Sequence, residues 1–105
     1  MELSFVYITA SNVAEAEKIG SMLVEKRLAA CVNIFEKMTS IYRWEGKVHK
    51  EEETVIIAKT RTGLIDELTA KVRELHSYTV PCIVSLPVAG GNPDFLNWIE
   101  NETKP

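Results

Sequence analysis

Cysteine is scarce in this chain, and Cys31 and Cys82 are too few for a disulfide scaffold. They also have no CxxC or CxxH spacing, so no local zinc or redox motif is built around them. Long hydrophobic runs are absent. Nothing approaches the roughly 18 consecutive apolar residues of a membrane-spanning helix. The opening Met1-Glu2-Leu3-Ser4-Phe5 is acidic where a secretory leader carries Lys or Arg, so no leader is expected. These features together lead us to expect a cytoplasmic protein with reduced thiols. Excess positive charge is missing too. Twelve Lys and Arg against 15 Asp and Glu give a net charge of −3, which disfavours nucleic acid and anionic membrane as partners. Catalytic signatures are equally thin. There is no Gly-rich phosphate loop, nucleophile elbow or HExxH, and no grouped nucleophile, base and orienting residue, so no enzyme is expected.

What is present is an ordinary globular composition, 46% apolar and 26% charged over 105 residues, enough for a single domain spanning 1–105 with one core. No repeat, linker or low-complexity segment divides it. Residues 3–9, LSFVYIT, form a dense β-former run that reads as a central strand. Asn12 with Glu15 three positions on resembles a capping box for a helix over about 13–27. A long extended region follows over 29–44, with a bulge placed at Glu36-Lys37, and it returns over 47–60. Gly46 marks the turn between the two arms. Thr62 is read as the cap of a second helix with Ile65, Leu68, Val72 and Leu75 as its buried stripe. After Pro81, Cys82–Leu86 reads as a short buried strand. Asn92-Pro93-Asp94 starts a third helix, with Phe95, Trp98 and Ile99 expected to face inward.

The order β-α-β-β-α-β-α predicts an α+β fold. It is a ferredoxin-like βαββαβ sandwich with an extended hairpin between the second and third strands and a short C-terminal helix. Two helices cover one sheet face, and the other is left for association. The hairpin tip, Tyr42 to Lys47, puts Tyr42 and Trp44 on one face of the arm. Their aromatic area suits either the anchoring of a neighbouring subunit or packing across the hairpin itself.

Several segments resemble the CutA (divalent-cation tolerance) family over nearly the whole chain. They are Glu25 to Asn33, Tyr42 to Lys47, Glu51, Glu53, Lys59 and Thr60, His76 and Tyr78, Pro81, and Gly90 with Trp98. The resemblance implies a tightly packed homotrimer with the architecture of PII signalling proteins. It also implies a role in tolerance of copper or another divalent cation, with no tightly bound cofactor. The chain departs from the family pattern at Ile8, where some relatives carry cysteine, and at Ser77, where many carry proline. A second histidine beside His76 is missing as well.

The candidate ligands have competing readings. Cys31 is a soft Cu(I) ligand or a small buried strand residue; the second reading is stronger for Cys82. His76 either lines an inter-subunit cleft with Tyr78 or meets the carbonyls at its helix end. Glu51 and Glu53 share a strand face and offer oxygen to a hard cation, or they are a solvated edge. His49 reads as exposed. Lys59 is a strand lysine paired to a glutamate, or with Trp98 part of the cleft. The leading function is a trimer that binds metal ions weakly at inter-subunit clefts. A PII-like small-metabolite sensor and a purely structural trimer are the alternatives, and the tight turn at Trp44–Lys47 disfavours a mobile signalling loop.

Overall fold

A computed structural model describes residues 1–105. Its elements are β1 (Leu3–Ala10), α1 (Val13–Glu25), β2 (Cys31–Trp44), β3 (Lys47–Arg61), α2 (Ile65–Leu75), β4 (Ile83–Pro87) and α3 (Pro93–Glu102), with a 3-10 turn at Thr62–Leu64 before α2. The strands form one antiparallel sheet in the order β2-β3-β1-β4, the ferredoxin-like arrangement.

Strand alternation decides the two faces. Val6 lies opposite Ala58, and Ile8 opposite Ile56. With Ala16, Ile19 and Leu23 of α1 and Leu68 and Val72 of α2, these residues make the main core. The other face carries Phe5, Tyr7 and Thr9 beside Lys59, Ile57 and Val55, with Cys31, Asn33 and Phe35 on one flank and Leu86 and Val84 on the other. Neither α1 nor α2 covers it. A small second core of Leu3, Ala30 and Ile99 seats α3 at one end.

Helix α1 approaches β2 closely because Gly20 has no side chain; a Cβ there would stand 2.7 Å from Val32 Cγ2. Asn12 caps α1 by accepting the Glu15 N–H. The helix stops at Glu25, short of the expected 27, because Arg27 turns left-handed at φ 58. Arg27 N–H then reaches the Val24 carbonyl and Leu28 N–H the Leu23 carbonyl, a Schellman ending whose left-handed position is usually glycine. The arginine has a use here. Its guanidinium donates to the carbonyls of Asn101 and Glu102, while Arg61 donates to that of Glu100. Helix α3 has no basic residue in its own last turn, so these two arginines satisfy its terminal carbonyls from outside.

The hairpin is the outsized element. Residues 54–61 of β3 pair with β1, whereas 47–53 pair only with β2. The two-stranded arm makes the molecule 44 Å long and only 25 by 22 Å across. Glu45 and Gly46, at φ 50 and 78, form the primed two-residue turn that matches strand twist. The register slips between Phe35 and Met38 with Lys37 at φ 57, the expected bulge.

Four local expectations are corrected. Thr62 does not cap α2 with its side chain; its hydroxyl lies 2.7 Å from that of Ser4, and a 3-10 turn leads into the helix instead. β4 begins at Ile83 and is mostly exposed, because it is a sheet edge with a bare outer face. On α3 only Ile99 is buried; the Phe95 and Trp98 rings lie tilted against each other at 5.4 Å and remain 40% and 39% exposed. His49 is half-buried, stacked on Tyr42 at 5.4 Å.

The Gly20 contact gives a direct test. Gly20→Ala lowers the unfolding free energy by about 1–2 kcal/mol in denaturant titration, although alanine is the better helix former. Combined with Val32→Ala, the loss is smaller than the sum of the two single changes, because the obstructing methyl is gone.

Candidate functional site

Where the arm leaves the sheet, the open face deepens into a cavity of about 730 Å³. β3 supplies Glu51 and Glu53, β2 supplies Met38, Ser40, Tyr42 and Trp44, and β1 supplies Tyr7 and Thr9. The segment from Ser77 to Cys82 closes the remaining side. These residues meet because alternate positions on adjacent antiparallel strands share a face. The bulge keeps them there, since after it Met38 opposes Glu53 and Ser40 opposes Glu51.

The solvated-edge reading does not hold for Glu53, which is buried, at 8% exposure. The Tyr78 hydroxyl donates to its Oε2 at 2.8 Å, and Tyr7 donates to Met38 Sδ at 3.2 Å. Burial and then the Glu53 carboxylate push the Tyr78 phenol far up. Burial, followed by Cys82 and Glu53, raises Tyr7. The hydrogen bond to Glu51 is the main cause raising Tyr42. Burial and Glu53 raise the Cys82 thiol, against a hydrogen bond with Thr9, so it is held as the thiol rather than the metal-binding thiolate.

His76 does not line the cavity; its side chain is fully buried behind it. Nε2 lies 2.7 Å from the Thr9 carbonyl oxygen, which can only accept, so Nε2 donates. Nδ1 accepts the Tyr78 N–H at 3.0 Å. Both nitrogens serve the backbone, and a single neutral tautomer is selected. In this chain His76 thus holds the loop that carries Tyr78 rather than presenting a free ring nitrogen to a metal. Glu15 helps from α1. Its carboxylate accepts from the Ser11 N–H and hydroxyl and, across the fold, from Ser77 N–H.

The predicted site residues therefore separate. Tyr42, Trp44, Glu51, Glu53 and Tyr78 come together at the cavity. Cys31 sits opposite Lys59, six residues along β3 from Glu53 and so about 20 Å away. Lys59 is not paired to a glutamate; its Nζ lies 5.6 Å from the Phe5 ring centroid and 5.3 Å from that of Phe95, a cation–π arrangement beside Trp98 at the α3 end. No three His, Cys, Asp or Glu side chains of the chain gather into a metal-binding group. The sequence reading missed Tyr7, Met38 and Glu15. Alternation of Phe5, Tyr7 and Thr9 toward the bare face was the available signal for Tyr7.

Comparison with known proteins gives one consistent answer. The family model described as CutA1 divalent ion tolerance protein matches residues 4–102. The chain is similar to the divalent-cation tolerance protein CutA of Thermus thermophilus, 47% identical over 98 residues, which are 93% of this chain and 95% of that protein. It is similar also to that of Archaeoglobus fulgidus, 46% identical over 97 residues, 92% and 94% of the two chains. Against the chloroplastic CutA of Arabidopsis thaliana it is 41% identical over 99 residues, 94% of this chain, but spans about half of that protein, 54%. Among solved structures, the T. thermophilus protein superposes with a TM-score of 0.95 at 45% identity, covering 97% and 99% of the chains. CutA1 of Oryza sativa superposes at 0.96 with 39% identity, covering 99% and 95%.

The Glu15 anchor predicts a pH dependence. Burial alone would raise this carboxyl, but the hydrogen bonds from Ser11 and Ser77 outweigh it and hold it below the usual glutamate value. A depressed folded value stabilises fully above the unfolded pKa, and the contribution is lost as pH falls through the folded one. Glu15→Gln therefore lowers the Tm clearly near about pH 7 and hardly at all near about pH 2. Thermal melts at both values check this; equal losses would refute it.

Proposed function

The chain belongs to the CutA1 divalent ion tolerance protein family, and from that premise we propose that it acts in divalent-cation tolerance as a homotrimeric binding protein rather than a catalyst. The observation that carries assembly is the bare sheet face. Phe35, Val84 and Leu86 on that face are 56%, 55% and 56% exposed, and large apolar side chains left bare on one sheet face mark association. The arm adds a second argument, because a two-stranded ribbon is marginal alone and gains stability when a neighbour packs on Tyr42 and Trp44.

Metal ions bind weakly at the cavity, which the assembled subunits turn into a cleft. Glu51 and Glu53 supply the oxygen ligands that a hard divalent ion prefers. Two carboxylates without a third ligand from the chain give weak affinity, so dissociation constants of about 10⁻⁴–10⁻³ M are expected. Cys31 is the soft alternative for Cu(I), at the other end of the face with Lys59 and Trp98. The protein works in the cytoplasm, where its two free thiols stay reduced.

Two measurements test this. Sedimentation velocity gives a trimer for the unaltered protein and smaller species at low concentration for Trp44→Ala; a monomer for the unaltered protein overturns the assembly. Calorimetric titration with Mn²⁺ shows weak binding that Glu53→Gln weakens by about tenfold or more. Unchanged affinity removes the carboxylates from the site.

A further inference from the structure

Glu53 poses a problem that metal binding does not fully answer. Carboxylates buried to this degree ordinarily face a cation. The ion pairs of the chain are Lys71–Glu74 and Lys104–Glu67, and neither includes Glu53 or Glu51. The hydrogen bond to Glu53 comes from the neutral Tyr78 hydroxyl. No Lys, Arg or His lines the cavity. Two carboxylates therefore line an open cavity with no positive charge, Glu53 more than nine-tenths buried and Glu51 exposed.

The rest of the wall is the second observation. Tyr7, Tyr42, Trp44 and Tyr78 contribute aromatic rings, and Met38 a polarisable thioether. A divalent metal ion takes oxygen ligands and water, and it gains little from such a wall. Its size is also far below the space available, since about 730 Å³ falls in the range of roughly 300–1,000 Å³ typical of organic ligands. An ammonium group on a carbon skeleton uses both features. Its N–H groups donate to the carboxylates, and its positively charged carbons lie against ring faces.

We propose that this cavity binds a small organic ammonium compound, with its cationic nitrogen at Glu53 and Glu51 and its carbon skeleton against Tyr7, Tyr42 and Trp44. The proposal rests on the reading of the cavity as a cation site and names a ligand class for it. Glu51 and Glu53, two residues apart on one strand face, are about 7 Å from each other along the backbone, a span that a short aliphatic diamine bridges. The Tyr78 hydroxyl fixes one oxygen of Glu53 through the loop that His76 and Glu15 hold, so the acceptor is positioned before the ligand arrives.

Calorimetric titration of the assembled protein near neutral pH tests the proposal with three probes: 1,4-diaminobutane, its neutral counterpart 1,4-butanediol, and Mn²⁺. The diamine binds and the diol does not. Glu53→Gln removes diamine binding. Tyr7→Leu, which keeps the carboxylates and removes a ring, weakens the diamine by about tenfold and changes Mn²⁺ affinity less than about twofold. The diamine–diol contrast needs no variant, so it decides the question should the Tyr7 variant fold poorly. Mn²⁺ binding without diamine binding, or equal binding of diamine and diol, overturns the ammonium proposal and leaves the cation site standing. Binding of neither cation overturns both.

Discussion

The unequal lengths of the strands govern most of this structure. β3 is 15 residues long and β1 only eight, so half of β3 has a neighbour on each side and half has β2 alone. Backbone pairing must end where β1 ends, yet the ribbon continues. The cavity forms at that step, because the sheet floor stops at Thr9 while Glu51, Glu53 and Tyr42 go on along the arm. The Ser77–Cys82 segment fills the remaining side because α2 has to return to the sheet edge to start β4.

Alternation along β3 then sorts the chemistry. Even positions such as Ile56 and Ala58 enter the core under the helices. Odd positions from Glu51 to Lys59 lie on the bare face, so the carboxylates, the apolar middle and the lysine form one line. The two ends handle charge differently. Lys59 rests between two aromatic rings, a setting in which a cation is stabilised without a carboxylate. Glu53 has only a phenol, and no positively charged side chain of the chain lines the cavity it faces. His76 and Glu15 are not ligands in this arrangement. They convert the α2–β4 loop from a loose connection into a fixed wall, through hydrogen bonds to Thr9, Ser77 and Tyr78.

Much of the fold was legible from residues that act locally. Asn12 and Asn92 announce their helices, Gly46 its turn and Glu36-Lys37 its bulge, because each depends on backbone conformations within a few residues. The errors fell where a distant partner decides. Arg27 ends α1 early in a left-handed conformation and reaches carbonyls on α3, more than 70 positions away. Phe95 and Trp98 follow a helical stripe, yet the short α3 reaches the sheet only through Ile99 and its small cluster. The candidate site residues separate into two places, since spacing in sequence does not reveal that Cys31 and Glu53 lie about 20 Å apart on one strand pair.

The amino-acid sequence by itself determined the element order, the sandwich class, the long arm with its aromatic tip and the family. Periodicity, capping and turn chemistry are short-range and are written directly in residue type. Only the tertiary structure decided that Glu53 is buried without a counter-charge, that His76 serves the backbone, and that Tyr7 and Met38 join the cavity. Those facts depend on register between strands whose paired residues lie up to about 60 positions apart and on where a neighbouring strand stops, and no local pattern carries either.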